Sequence, residues 1–63
     1  MKIYLLETYE YSVYSYSGVR VAGQFAFSSQ ALAEAFAASK GLTIRYDAEY
    51  DYECTITELE VVQ

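Results

Sequence analysis

A single segment of this sequence has the periodicity of an α-helix, and β-forming segments lie on both sides of it. Residues 30–40 are rich in alanine, with Leu32, Ala35, Phe36 and Ser39 on one stripe. Ser28 or Ser29 is expected to cap the start of this helix, and Gly41 to end it in the left-handed conformation. Because one helix covers one face of a sheet, the other face must meet solvent, a second copy of the chain or a partner.

The segments around the helix favour strands. Residues 2–16 are predicted to form the central strand, because residues 3–6 are apolar on both alternating faces. Residues 15–18 have turn chemistry, and strand-like alternation resumes after them, with Gly23 at a bulge or kink. Beyond the helix, residues 42–46 and 52–62 are predicted to be strands, and residues 47–51 are either a turn or part of one continuous strand.

This order of elements predicts an α+β fold. With consecutive strands adjacent and a right-handed return through the helix, the last strands are expected beside the first. The result is an antiparallel sheet of three or four strands with one helix packed on one face, β-β-α-β or β-β-α-β-β. The parity of apolar positions changes between Ile56 and Leu59, which predicts a bulge near Thr57 or Glu58. On the helix, Leu32 and Phe36 are expected to be core, near strand residues such as Ile3, Leu5 and Val21.

Length, charge and cysteine use limit the classes of protein. Sixty-three residues are predicted to make a single domain, residues 1–63, because a second core has no room. The single cysteine, Cys54, cannot close an intramolecular disulfide, and the apolar run at residues 3–6 is too short for a secretory signal or a membrane span, which favours the cytoplasm. A formal charge of −5 argues against direct binding to nucleic acid or anionic membrane and favours a basic protein surface, although the same charge also serves solubility.

The residue types that most catalysis needs are missing from the sequence. There is no histidine, and one cysteine cannot build a zinc site. The serines lie in no nucleophile motif, and the three glycines form no phosphate loop. Paired carboxylates remain the one enzymatic possibility, but a domain this small lacks a suitable cleft and the spacing misses the calcium-loop pattern. We therefore expect a protein that is not an enzyme, with no metal and no cofactor.

The acidic residues have an unusual distribution. Six of the nine lie in the last 17 residues. If residues 47–53 are extended, four carboxylates share one face at a spacing of about 6.8 Å, twice the roughly 3.4 Å rise of phosphates along a DNA strand. Such a row imitates a phosphate backbone, although a charged edge strand that resists aggregation has the same pattern. The predicted partner-binding residues are Asp47, Glu49, Tyr50, Asp51, Tyr52, Glu53, Glu58 and Glu60.

Tyrosine is the second unusual feature. The eight tyrosines of the chain are more than one small core holds, and exposed tyrosine beside acids is typical of an interaction surface. Cross-strand pairing of aromatic rings that merely stabilises the sheet explains them equally well.

Three passages resemble small uncharacterised phage and bacterial domains. They are MKIYLLETYEYSVY at residues 1–14, VAGQFAFSSQALAEAFAA at 21–38 and YECTITELEVV at 52–62. Tyr11, Ser12 and Tyr14 match a tyrosine segment of those domains, whereas Val13 stands where they often carry an acid. The resemblance implies a β-β-α-β fold and a mobile-element origin, and it implies no activity.

In kind, a small, acidic, histidine-free chain is similar to phage-encoded inhibitors of host defence, including anti-CRISPR proteins. Our first hypothesis is a non-enzymatic inhibitor that imitates nucleic acid and blocks a basic DNA-binding surface of a host defence effector in the host cytoplasm. The alternative is a structural or assembly module that dimerises through an uncovered, tyrosine-rich sheet face. The chain is accordingly expected to be a monomer or a homodimer.

Overall fold

The computed structural model describes residues 1–11, 18–48 and 52–62, and these form one sheet with one helix. The elements are β1 (Lys2–Tyr11), β2 (Val19–Phe27), α1 (Gln30–Ser39), β3 (Thr43–Ile44) and β4 (Glu53–Glu60). The strand order is β2-β1-β4-β3, so the first strand is central and the last lies beside it. The predicted α+β class, with one helix on a four-stranded sheet, is confirmed.

The sheet is antiparallel except at one short edge. β1 pairs antiparallel with β2 and with β4, whereas β3 pairs parallel with β4 through two residues only, opposite Glu53 and Cys54. The backbone N–H groups of Thr43 and Arg45 donate to the carbonyls of Tyr52 and Cys54, each at 2.8 Å. Tyr46 and Asp47 lie in a turn, so of the two alternatives for residues 47–51 the turn is confirmed at Asp47, while residues 49–51 lie outside the described residues.

Short side chains let α1 approach the sheet closely. Ser29 caps the helix through its hydroxyl, which accepts from the Leu32 N–H at 3.2 Å, and Gly41 ends it at a φ of 69°. Both cap predictions are confirmed. The buried helix residues are Ala33 and Ala37, whereas Leu32 is 53% exposed, so its assignment to the core is wrong. Among the described residues, no helix has the length and apolar character needed to cross a membrane.

The core lies between α1 and the centre of the sheet. Leu6 and Cys54 are fully buried and pack with Ala37, and the ring of Phe36 lies against this cluster. Leu6 is opposite Phe25 on β2 and Ile56 on β4, so these three positions share the covered face. Strand alternation places Ile3 and Leu5 on the opposite face, away from the helix, so their expected contact with it is wrong.

A β-bulge in β2 reverses the face on which successive side chains lie in the two halves of that strand. Thr8 is opposite Gly23 and Tyr9 is opposite Val21, which leaves Ala22 as the extra residue. The predicted bulge is thus confirmed, but the extra residue is Ala22 and not its neighbour Gly23. A Cβ at Gly23 would meet the Thr8 hydroxyl at 3.0 Å and the Phe25 ring at 3.2 Å. Because of the bulge, Val21 lies on the uncovered face and Phe25 on the covered one, so Val21 does not face the helix as expected.

β4 has no such irregularity. Its pairing with β1 is continuous from Glu60 opposite Lys2 to Cys54 opposite Thr8, so the predicted bulge near Thr57 or Glu58 is wrong. The change of parity has another cause: Ile56 faces α1, whereas Leu59 lies on the uncovered face and is 39% exposed. Both faces of β4 therefore carry apolar side chains.

Phe36 is the aromatic side chain that joins α1 to β2, and its removal should destabilise the fold. The centroid of its ring lies 4.8 Å from that of Phe25 and 5.4 Å from that of Phe27. Phe36→Ala should lower the free energy of unfolding by about 3 kcal/mol in urea titrations, because it deletes these contacts and leaves a cavity. Leu32→Ala, on the exposed side of the same helix, should cost less than about 1 kcal/mol. Equal costs for the two variants would contradict this packing.

The buried thiol of Cys54 should make stability depend on alkaline pH. Burial raises the pKa of this thiol, so the unfolded chain loses the proton first as the pH rises. Stability contributed by the protonated thiol is then lost above the ordinary thiol pKa, from about pH 8.5 upward. Urea midpoints measured at rising pH should fall more steeply for the wild-type chain than for Cys54→Ala. Parallel curves would show that the thiol is not buried.

Candidate functional site

A groove follows the free edge of β4, where the two-residue strand β3 stops pairing. Beyond Cys54 no described strand covers this edge, and a depression of about 620 Å³ lies there. It is lined by Glu7, Tyr9, Ile44, Arg45, Tyr46, Thr55, Ile56, Thr57 and Glu58. We call it the β4-edge groove. A groove of this size holds several side chains of a partner.

Arg45 organises one end of the groove. Its Nε lies 2.9 Å from Oε2 of Glu53 and 3.3 Å from Oδ1 of Asp47, so one guanidinium holds two carboxylates. Asp47, and to a smaller extent Glu53, raise the pKa of Arg45. The position of Arg45 follows from its backbone N–H bond to Cys54, which sets the residue just after β3 against the start of β4.

Glu53 is the buried member of this cluster. It is 2% exposed, and a carboxylate is removed from water at a large cost unless it is paired. The guanidinium of Arg45 supplies that pairing, so Glu53 serves the structure of the sheet edge and presents no free charge to a partner. Asp47, in the turn, remains exposed.

The other end of the groove carries a second set of polar contacts. Oε1 of Glu58 lies 3.4 Å from Nζ of Lys2 and accepts a hydrogen bond from the Tyr4 hydroxyl at 3.1 Å, which raises the pKa of Tyr4. On the uncovered face, the hydroxyls of Tyr9 and Thr55 lie 3.0 Å apart, and Glu7 accepts from the side-chain amide of Gln24 at 3.0 Å.

The charges around the groove do not cancel. The carboxylates of Glu7, Asp47, Glu53 and Glu58 stand against the guanidinium of Arg45 and the ammonium of Lys2. Four negative charges and two positive ones leave an excess of two negative charges within the described residues. Such an excess at a concave site attracts a basic group more strongly than the same charges on a convex surface.

The predicted partner-binding residues do not form one row. Glu53 is buried, Asp47 lies in a turn, and Glu49, Tyr50 and Asp51 lie outside the described residues. Glu58 and Glu60 lie at the far end of β4, where Glu60 binds the amino terminus at 3.2 Å. The row of four carboxylates required residues 47–53 to be extended; the turn at Asp47 interrupts it there, and the two described members, Asp47 and Glu53, both pair with Arg45. The alternation of acids did not predict these ion pairs. The sequence feature that could have predicted them is Arg45, which stands two residues before Asp47.

The exposed tyrosines cluster partly at this site. Tyr46 is fully exposed at the rim of the groove, and Tyr52, also exposed, precedes β4. Tyr11 is exposed at the end of β1, whereas Tyr4 and Tyr9 are half-buried with the hydrogen bonds given above. Tyr14, Tyr16 and Tyr50 lie outside the described residues.

A second cavity, of about 440 Å³, lies on the covered face between the end of α1 and the bulged hairpin. Its walls include Phe25, Phe36 and Leu42, and the ammonium of Lys40 lies 5.8 Å from the Phe36 ring. This cavity is largely apolar and belongs to the edge of the core. In the described part of the chain, no three His, Cys, Asp or Glu side chains are grouped to hold a metal ion.

Comparison of this chain with models of protein families, with curated proteins and with solved structures finds no match.

The Arg45–Glu53 pair should matter more to stability than the exposed pair of Lys2 and Glu58. Arg45→Gln leaves the buried Glu53 carboxylate without its cation and should lower the urea midpoint clearly more than Lys2→Gln does. Adding Glu53→Gln to Arg45→Gln should recover most of the loss, because an amide is cheaper to bury than an unpaired carboxylate. Equal midpoints for Arg45→Gln and Lys2→Gln would mean that Glu53 reaches water.

Proposed function

We propose that this chain is a non-enzymatic inhibitor that binds, through the β4-edge groove and its rim, a basic nucleic-acid-binding surface of a host defence protein. The observation that carries the proposal is Tyr46, a fully exposed aromatic side chain beside a concave site with excess negative charge. A large aromatic anchor next to a polar, charged rim is the usual composition of a protein-binding hot spot.

The sign of the charge selects the kind of partner. A chain of net charge −5 repels nucleic acid and anionic lipid, whereas lysine and arginine side chains of a nucleic-acid-binding protein are attracted to it. Asp47 shares the single guanidinium of Arg45 with Glu53, and the described partner of Glu7 is the neutral amide of Gln24, so an incoming cation meets an excess of negative charge there. Beyond Cys54 no described strand pairs with the outer edge of β4, and such an edge suits an extended segment of the partner.

The chain is proposed to compete with nucleic acid for a basic surface without copying the regular spacing of its phosphates. A regular row of carboxylates at phosphate spacing does not support it, because Glu53 is buried. What supports competition with nucleic acid is the excess of acids next to an aromatic ring, since basic surfaces that bind single strands also accept aromatic stacking. The proposed inhibitor then occupies the basic surface without copying a backbone.

Capture from bacterial lysate on the immobilised chain tests the proposal. The captured proteins should include a nucleic-acid-binding protein, and double-stranded DNA added to the lysate should compete for it. Binding should weaken as salt rises, because exposed charges are screened. The double variant Tyr46→Ala, Asp47→Asn should bind the captured protein at least about tenfold more weakly, because it removes the aromatic anchor and the exposed carboxylate.

Glu34→Gln is the matched control, since Glu34 is an exposed acid on α1 whose described contact is with Gln30. It removes one negative charge, as Asp47→Asn does, and should leave binding unchanged. If Glu34→Gln weakens binding as much as the groove variant does, the effect is one of net charge alone and the groove is not the site.

A further inference from the structure

Among the described residues, the fully buried core is small for a four-stranded sheet. Within the described residues, the buried apolar side chains are those of Leu6, Ala33, Ala37, Ala48 and Cys54. Three of these five are alanines, which contribute little apolar area. A chain of this size is marginal even with a normal core, so a second layer of packing is expected from elsewhere.

The surface area of the chain points the same way. A monomer of 7.2 kDa is expected to expose about 4100 Å², whereas this chain exposes 4663 Å². Its radius of gyration is 12.2 Å, against about 10.6 Å for a compact domain of 63 residues. The excess of about 550 Å² is of the size that one partner buries in a small stable interface.

Within the described residues, the face of the sheet opposite α1 has no second layer. Strand alternation and the bulge at Ala22 place apolar side chains from three strands there, among them Ile3, Leu5, Val21, Ala26 and Leu59. Of these, Val21 and Leu59 are exposed large aliphatic side chains. The molecule is 16 Å across its thinnest direction, which fits a sheet with a helix on one side and no third layer.

We infer that this open face packs against the same face of a second copy, making a two-fold sheet-on-sheet dimer. If each copy buries its excess of about 550 Å², the interface totals about 1100 Å², just above the roughly 1000 Å² that specific interfaces need. A two-fold contact of one patch with itself is the commonest form of protein association. The dissociation constant is then expected in the micromolar range.

The open face carries little charge. Its described charged side chains are those of Glu7, Glu53 and Arg45, and Arg45 pairs with Glu53. Glu7, which also lines the β4-edge groove, accepts a hydrogen bond from the neutral amide of Gln24. These three side chains sum to one negative charge, so apolar contact is the main source of binding energy on this face, which suits a second copy.

Sedimentation of the wild-type chain and two lysine variants tests the inference. The wild-type chain should be a dimer above about 100 µM. Leu59→Lys places a charge in the interface and should raise the dissociation constant at least about tenfold. Leu32→Lys is the matched control, because Leu32 is exposed on α1, outside the open face, and this variant should remain a dimer. A wild-type chain that is folded and monomeric at about 1 mM overturns the inference, as does a Leu59→Lys variant that still dimerises like the wild type.

Thermal melting covers the case in which Leu59→Lys does not fold. Because unfolding is coupled to dissociation, the melting temperature of the wild-type dimer should rise with protein concentration, and a constant value overturns the inference.

The salt dependence of the dimer is a second check. Two copies of charge −5 repel one another, so raising NaCl from about 0.02 M to about 0.5 M should tighten the dimer. Loosening by salt would show an ionic contact and overturn the apolar one. Binding of the basic partner at the β4-edge groove is expected to weaken with salt. The two surfaces share Glu7 and Tyr9, so the opposite salt responses distinguish the two interactions.

Discussion

The structure depends on the contact between one ten-residue helix and the central pair of strands. Ala33 and Ala37 bring the helix close enough to bury Leu6 and Cys54, and Phe36 extends the contact to β2. The rest of the sheet has less packing over it among the described residues, because four strands are wider than one helix. The same constraint that allows a chain of 63 residues to fold therefore leaves it with an open sheet face and with a free strand edge.

These two uncovered regions adjoin, because Glu7 and Tyr9 of the open face also line the β4-edge groove. The open face is mainly apolar, whereas the groove has excess acid and an exposed tyrosine at its rim. Arg45 lies between them and pairs with both Glu53 and Asp47. A chain with few cations thus uses one of them to keep a buried carboxylate in its sheet. The arrangement suits self-association on one surface and binding of a basic protein on the other.

The sequence predicted the elements well and their orientation less well. The helix caps, the central position of β1 and the return of β4 beside it follow from local chemistry and from the rules of chain connection. The buried face of the helix was predicted wrongly for Leu32. A stripe that contains leucine is more apolar than one made of alanines, but the alanine stripe is buried because alanine allows closer packing. The faces to which the side chains of β2 point were not predictable, because the bulge at Ala22 depends on pairing with β1. The pairing of Glu53 with Arg45 was not predictable either, because the tertiary fold brings these two residues together.

The central claim is that the open face of the sheet is completed by a second copy. Isotope-filtered nuclear Overhauser spectra of a mixture of labelled and unlabelled chains test it most directly, because they report contacts between copies and not within one. The account predicts intermolecular signals among the methyl groups of Leu5, Val21 and Leu59, and none from Leu32. Intermolecular signals from Leu32, or none from the open face in a sample that sediments as a dimer, would contradict it.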